Sequence, residues 1–209
     1  MPKVTQEKTN ARKEEIVNAC AKLYETTSFK DMTLKDIGKA TSFTRTSIYN
    51  YFQTKEEIFL ALLQREYDLW NEDLTGILEK NESLSADEFA DKIAQSLAKR
   101  ERLLKLMSMN HYDMESSSRI EKLTEFKCSY GKSLRLVTNS LQKFFPSMKM
   151  NEVQSFIYIF FPFMFGIYPY TYVTEKQRAA MKNADANYVS MSVYEITFSC
   201  VKNLLGNHI

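Results

Sequence analysis

TLKDIGKATSFTRTSIYNYF, residues 33–52, is the stretch from which the architecture follows. Thr33 and Asp36 stand three apart, the spacing at which a cap hydroxyl accepts from a free helix-start amide and an acidic side chain reaches back. The helix they open must be short, because Ala40-Thr41-Ser42-Phe43 reads as a turn. Thr44 then caps a second short segment through Tyr51. Ile48 and Phe52 recur at helical spacing and, with Phe43, are expected to face Ile37 and Ile16 in a core. Arg45, Thr46, Ser47, Tyr49 and Asn50 are left on the wet side. Two short helices, a three- or four-residue turn and a polar outer face on the second predict a helix-turn-helix.

Reading outward, Ile16, Ala19, Cys20, Leu23 and Tyr24 mark an amphipathic helix before this unit, over 10–26. After it, Thr54 caps a long helix with Glu56 and Glu57 in the favourable first turn, running past Trp70 to about Glu79. Ser85 with Glu88 opens a helix over Phe89, Ile93 and Leu97, and 103–109 is another helical piece. His111 to Ser118 reads as a polar loop. A long apolar stripe from Ile120 to Leu141 ends before Pro146, and Asn151 is expected to cap the aromatic segment that follows. Thr174 to Asn187 reads as a mobile connection, and a last helix through Val193, Ile196 and Cys200 stops at Gly206. The expectation is an all-α chain of about nine helices, with a three-helix head over 1–53 and a helical bundle over 54–209.

Composition agrees with that class. Five Gly and four Pro in 209 residues are too few for the turns of a sheet protein. Three widely spaced cysteines, Cys20, Cys128 and Cys200, make no disulfide framework or CxxC pair, which points to a reducing cytoplasm. Two histidines leave little for a metal site or a His-based triad. No Gly-rich phosphate loop, GxSxG or HExxH is present, so neither enzyme activity, a metal nor a cofactor is expected. Residues 1–55 hold ten Lys/Arg against six Asp/Glu, whereas 56–209 hold eighteen against twenty. The basic front end suggests an anionic partner for the head. The opening ten residues lack the apolar core of a signal peptide. Phe156 to Val173 carries no charge, but its borderline length and its Pro162, Gly166 and Pro169 favour a buried helix followed by a bend over a membrane span.

Residues 16–63, with TLKDI at 33–37, TSIYNYF at 46–52 and Lys55-Glu56, resemble the DNA-binding domain of TetR-family bacterial transcriptional regulators. The Tyr-x-Tyr-Phe ending followed by Lys-Glu is the distinctive part, and the remaining chain matches only in length and helical layout. The resemblance implies a cytoplasmic homodimer that sets its second short helix in the major groove of each half of a near-palindromic double-stranded operator. It implies dimerisation through the last two long helices and release from DNA by a small-molecule effector. Ser42 stands where the family commonly has Gly, so the turn either carries Ser at positive φ or is of another type. Thr46 stands where the family has a smaller residue, which alters the reading face.

On that alignment Lys55 and Thr33 lie at helix starts where amides and charge meet phosphate. Tyr49, Tyr51, Thr44 and Ser47 match positions that usually hold phosphates. Arg45 is the candidate for bidentate guanine readout, Thr46 for a thymine methyl, and Asn50 for backbone or a base edge. In the C-terminal part, nine of the seventeen residues from Phe156 to Tyr172 are aromatic. Trp70, Met107, Phe126, Tyr130, Phe160 and Met164 are candidates for an apolar effector pocket, the alternative being a packed core and dimer interface. The leading expectation is a repressor released by a small, largely apolar effector, without a membrane partner. The other class is a lipid- or membrane-surface-binding bundle with a vestigial head, motivated by the Phe156–Val173 run.

Overall fold

The computed structural model describes residues 6–109, 111–186 and 189–206. They form helices α1 (Gln6–Leu23), α2 (Leu34–Lys39), α3 (Arg45–Ile48), α4 (Lys55–Lys80), α5 (Ala86–Ala98), α6 (Glu101–Met107), α7 (His111–Ser116), α8 (Ile120–Phe144), α9 (Met150–Thr171), α10 (Glu175–Asn183) and α11 (Val193–Leu205). No strand occurs among the described residues, and eleven helices stand where about nine are expected. The chain divides into two compact units, Met1–Arg65 with Asn110–Cys128, and Glu66–Met109 with Ser129–Ile209. The first unit therefore takes in a segment far beyond the expected boundary at residue 53.

The first unit is organised by its apolar residues. Ile16, Ile37, Ile48, Phe52, Ile58 and Phe59 are all essentially inaccessible. Each such side chain contributes about 1.5–3 kcal/mol by leaving water. Phe59 takes the edges or faces of Tyr24 and Phe29 with centroids 5.2 and 4.8 Å away. Phe43 is only half-buried, lying 6.5 Å from the Tyr51 ring, because the turn holds it at the rim of this core. The capping box at Thr33 forms as its spacing predicts, with Thr33 Oγ1 accepting from the Asp36 amide at 3.3 Å. Thr54 Oγ1 accepts from the Glu57 amide and starts α4.

In the second unit α11 packs on α5 and α9, and α9 also packs on α6. Ser85 forms its expected box with Glu88, and Ser192 forms a further one with Glu195 at the start of α11. Trp70 is fully buried, its indole N–H donating to Ser96 Oγ at 3.0 Å. Asn71, also inaccessible, donates to Ser129 O and accepts from Ser133 Oγ. These bonds satisfy polar groups that would otherwise cost free energy in the core.

Four expectations are corrected. The polar stretch 111–118 contains α7, anchored by the fully buried Met114. The stretch 174–187 contains α10, whose good helix formers are capped by Thr174 Oγ1 accepting from the Gln177 amide. Lys149, not Asn151, precedes the first turn of α9, its amide donating to Glu152. The helix expected to give way to a bend instead continues, α9 being helical through both Pro162 and Pro169. Both prolines are exposed, while Val153, Phe156, Phe160, Met164 and Ile167 keep the opposite face buried, so packing overrides the loss of two amide donors. By length and composition α9 is apolar enough to cross a membrane; a third of its most apolar stretch is buried against neighbouring helices.

Candidate nucleic-acid interface

α3 begins at Thr44, whose extended backbone (φ −69°, ψ 154°) turns the chain into the helix. Thr44 Oγ1 makes no cap bond and instead lies 3.1 Å from Ser47 Oγ. Ile48 points into the core, so the other residues of the segment are turned outward. Thr44, Thr46 and Asn50 are exposed, Tyr49 is 44% exposed, and Ser47 is half-buried. Arg45 is the first residue of α3; its side chain lies outside the described residues. Thr33 is also exposed, its hydroxyl engaged by Asp36. Those bonds hold the Asp36 carboxyl below the usual Asp range, as a bound carboxylate requires.

Two of the expected residues sit deeper. Tyr51 is 9% exposed, and its hydroxyl accepts from Arg12 Nη1 at 3.2 Å. Lys55 turns its ammonium inward: Nζ donates to Phe29 O at 2.7 Å and to Met32 O at 3.1 Å, and lies 4.4 Å from the Phe29 ring centroid. It thus ties the start of α4 to the loop that delivers Thr33.

The turn resolves the question posed by Ser42. Asp185, at φ 51°, is the one non-glycine residue with positive φ among the described residues, so the turn at Ser42 is of a type that needs no glycine. It is held from outside: the Ser42 amide donates to Glu15 Oε1, and Thr41 Oγ1 donates to Gly38 O and Phe43 O. The Ser42 amide keeps the Glu15 carboxyl below the ordinary Glu range. Arg12, one helical turn before Glu15, also lies 6.0 Å from the Phe43 ring. α1 therefore grips both flanks of α3, at residues 42–43 and 51. The i, i+3 pairing of Arg12 and Glu15 on the polar face of α1 was the available signal for this role; its partners were not readable locally.

The six candidate effector residues separate. Trp70, Tyr130 and Phe160 join Tyr67 and Phe161 in one aromatic cluster of the second unit, with ring centroids 5.7–6.3 Å apart. Met107 and Met164 are buried in the same unit, whereas Phe126 belongs to the first. A cavity of about 400 Å³ lies elsewhere in the second unit, lined by Glu72, Asp73, Gly76, Ile77, Lys80, Asn81, Lys92, Gln95, Ser96 and Lys99. None of the six lines it; Ser96, the partner of Trp70, does. No group of three possible metal ligands occurs among the described residues.

Comparison with known proteins places these observations. Residues 16–62 match the family of bacterial regulatory proteins named for tetR, and residues 64–195 match the tetracyclin repressor-like C-terminal domain. Over 67 residues the chain is 33% identical to the uncharacterized HTH-type transcriptional regulator YfiR of Bacillus subtilis (strain 168). That match spans 32% of this chain and only a third (33%) of the relative's length. A TetR-family regulator from Mesorhizobium loti superimposes with a TM-score of 0.61 at 13% identity, covering 98% of both chains. FadR from Bacillus subtilis, solved in complex with stearoyl-CoA, gives 0.58 at 16% identity, over 91% of this chain and 96% of that one. A regulator from Streptomyces coelicolor gives 0.59 at 12%, over 95% and 99%. At these identities the three structures establish a shared fold.

Proposed function

The chain belongs to the TetR family of DNA-binding transcriptional regulators, and from that premise we propose that it is a homodimeric repressor. Each subunit reads one half of a near-palindromic operator with α3, and a small, largely apolar effector releases it. One observation carries the DNA reading: α3 buries Ile48 while Thr44, Thr46, Tyr49 and Asn50 stand exposed, as does Thr33 ahead of α2. Arg45 reads a base, Thr46 meets a thymine methyl, and Thr33, Thr44, Ser47, Tyr49 and Asn50 position the head on phosphates. Tyr51 and Lys55 support the head from inside, since the Tyr51 ring is buried and the Lys55 ammonium is bonded to two carbonyls.

The dimer reading rests on α9. Tyr158, Ile159 and Tyr170 are 78%, 49% and 65% exposed on α9, large apolar side chains left in water away from its buried face. A second copy covering them accounts for their exposure without a membrane. The effector reading rests on the Trp70–Tyr130–Phe161 cluster, and the stearoyl-CoA held by the similarly folded FadR supports an apolar ligand class. We assign the protein to the cytoplasm and give it no catalytic role.

The test is mobility shift on the DNA upstream of its own gene. Sequence-preferring, salt-sensitive binding is expected. Arg45→Ala is expected to relax preference at one base position while leaving other positions unchanged. Binding with no sequence preference at any practical concentration rejects the proposal.

A further inference from the structure

We propose that Arg119 is a positioning residue for DNA binding, the latch that holds the exit of α3. The inference deepens the DNA-binding reading above and rests on it. Glu57, in the first turn of α4, is fully buried. Its carboxylate is held by four donors. Oε1 accepts from the Arg119 amide at 3.1 Å and from Arg119 Nε at 2.6 Å. Oε2 accepts from Arg119 Nη2 at 2.8 Å and from the Gln53 amide at 2.8 Å. The same Nη2 reaches Tyr51 O at 3.3 Å. Beside it, Thr54 Oγ1 donates to Ser117 O at 3.0 Å. The stretch from Tyr51 to Thr54, which is the path out of α3, is thereby fastened to residues 117–119 directly at Tyr51 O and Thr54 Oγ1, and through Glu57 at the Gln53 amide.

The chemistry fits a latch. A buried carboxylate needs a full set of donors, and the planar guanidinium supplies two parallel bonds that no single ammonium reproduces. The bonds outweigh the desolvation of Glu57 and hold its carboxyl below the ordinary Glu range. Arg119 belongs to none of the helix-turn-helix sequence: it falls outside residues 16–62 and inside the 64–195 match to the C-terminal domain. It immediately precedes α8, yet it folds with the head in the first unit. The order of the reading helix is therefore conditional on where the first turn of α8 sits. Among the described residues Arg119 bonds to no reading-face side chain, and the role proposed for it runs through the backbone at residues 51–53.

The test uses the full chain and its Arg119→Lys, Arg119→Gln and Glu57→Gln variants. Affinity is read by fluorescence anisotropy on the upstream DNA fragment across a salt series, stability by thermal unfolding, and local order by hydrogen exchange. Arg119→Lys keeps the charge and is expected to unfold within a few degrees of wild type, yet to bind about tenfold more weakly, the scale of losing bonds to a charged group. Arg119→Gln is expected to be weaker still. In both variants exchange is expected to accelerate at residues 51–53 and not across α9 or α11. The slope of log affinity against log salt is expected to stay as in wild type, because no phosphate contact is removed. A slope smaller by about 0.9 would instead make Arg119 a phosphate ligand and overturn the proposal. So would affinity of the folded variants equal to wild type, or uniform acceleration of exchange with affinity lost only in proportion to unfolding. Wild type that binds no DNA removes the DNA-binding reading and the latch together; wild type that binds while the variants match it removes the latch alone.

Discussion

Lys55→Met separates two roles for one ammonium. The substitution keeps most of the apolar stem and removes the charge and its donors. In the structure that charge holds two backbone carbonyls, Phe29 O at 2.7 Å and Met32 O at 3.1 Å, above the Phe29 ring. Hydrogen bonds from a charged group contribute about 1.5–3 kcal/mol. A cation over an aromatic face adds about 0.5–1 kcal/mol at a partly exposed site. Lys55 is half-buried, so solvent screening reduces the total to about 2 kcal/mol. For a chain of this size that lowers the melting temperature by roughly 4–8 °C. The assay is a thermal melt followed by circular dichroism, paired with a salt series of DNA binding. The strap predicts the lower melting temperature and an unchanged salt slope for the folded protein. A phosphate ligand predicts an unchanged melting temperature and a slope reduced by about 0.9. The second pattern refutes the assignment of Lys55 to the interior.

Acid should loosen the head only once pH falls into and below the ordinary carboxylate range. Glu15, Asp36 and Glu57 are all held below their usual values by hydrogen bonds, from ordinary values of 4.5, 3.8 and 4.5. Their stabilisation is complete above those ordinary values and is lost as pH falls through the lower folded-state ones. Melting temperature is expected to be level from pH 7 to about 5 and to fall below that, less steeply in Glu57→Gln; an acid-insensitive melt contradicts the bonding seen here. Ile159→Glu places a charge among the exposed apolar side chains of α9 and is expected to give a sedimenting species near the 24.4 kDa of one chain; an unchanged dimer moves the interface off these residues. Trp70 is the single tryptophan and is fully buried, so an effector entering the aromatic cluster is expected to shift or quench its emission. A compound that releases DNA with no change in that emission binds elsewhere in the protein.

The head was legible because its determinants are close in sequence. Capping at Thr33, the turn at 40–43 and the burial of Ile37, Ile48 and Phe52 all follow from spacings of three or four residues. The supports of the head were not legible for the opposite reason. Glu15 meets Ser42, Arg12 meets Tyr51 and Arg119 meets Glu57 across 27, 39 and 62 positions, and no local pattern announces such a partner. The same limit applies to Lys55, expected at a phosphate: its bonds to Phe29 O and Met32 O exist only once residues 29–32 are folded beneath it. α7 and α10 were missed differently. Their stretches are polar, and polarity signals a loop only when helix propensity and capping are left out. α10 forms with no buried residue at all, on a Thr174 cap, an acidic first turn and a basic last turn.

The aromatic half obliges a different argument, because abundance of rings does not by itself make a pocket. Tyr67, Trp70, Tyr130 and Phe161 meet at centroid separations of 5.7–6.3 Å, all four pairs tilted or edge-on. At those distances the rings fill the space between them. An effector that enters must part them, and opening a drug-sized volume of about 300 Å³ in a packed core costs roughly 7 kcal/mol. Burial of apolar surface returns about 25 cal/mol per Å², so roughly 300 Å² of ligand surface is needed to break even before any affinity appears. That excludes a small polar metabolite and selects a long-chain or multi-ring molecule for this cluster. The cavity beside Glu72, Lys80, Lys92 and Lys99 is already open and lined by charges of both signs, so a ligand there incurs no such opening cost but must match those charges. The two places in the second unit thus select opposite chemistries, and the apolar content of a releasing compound tells which of them it uses.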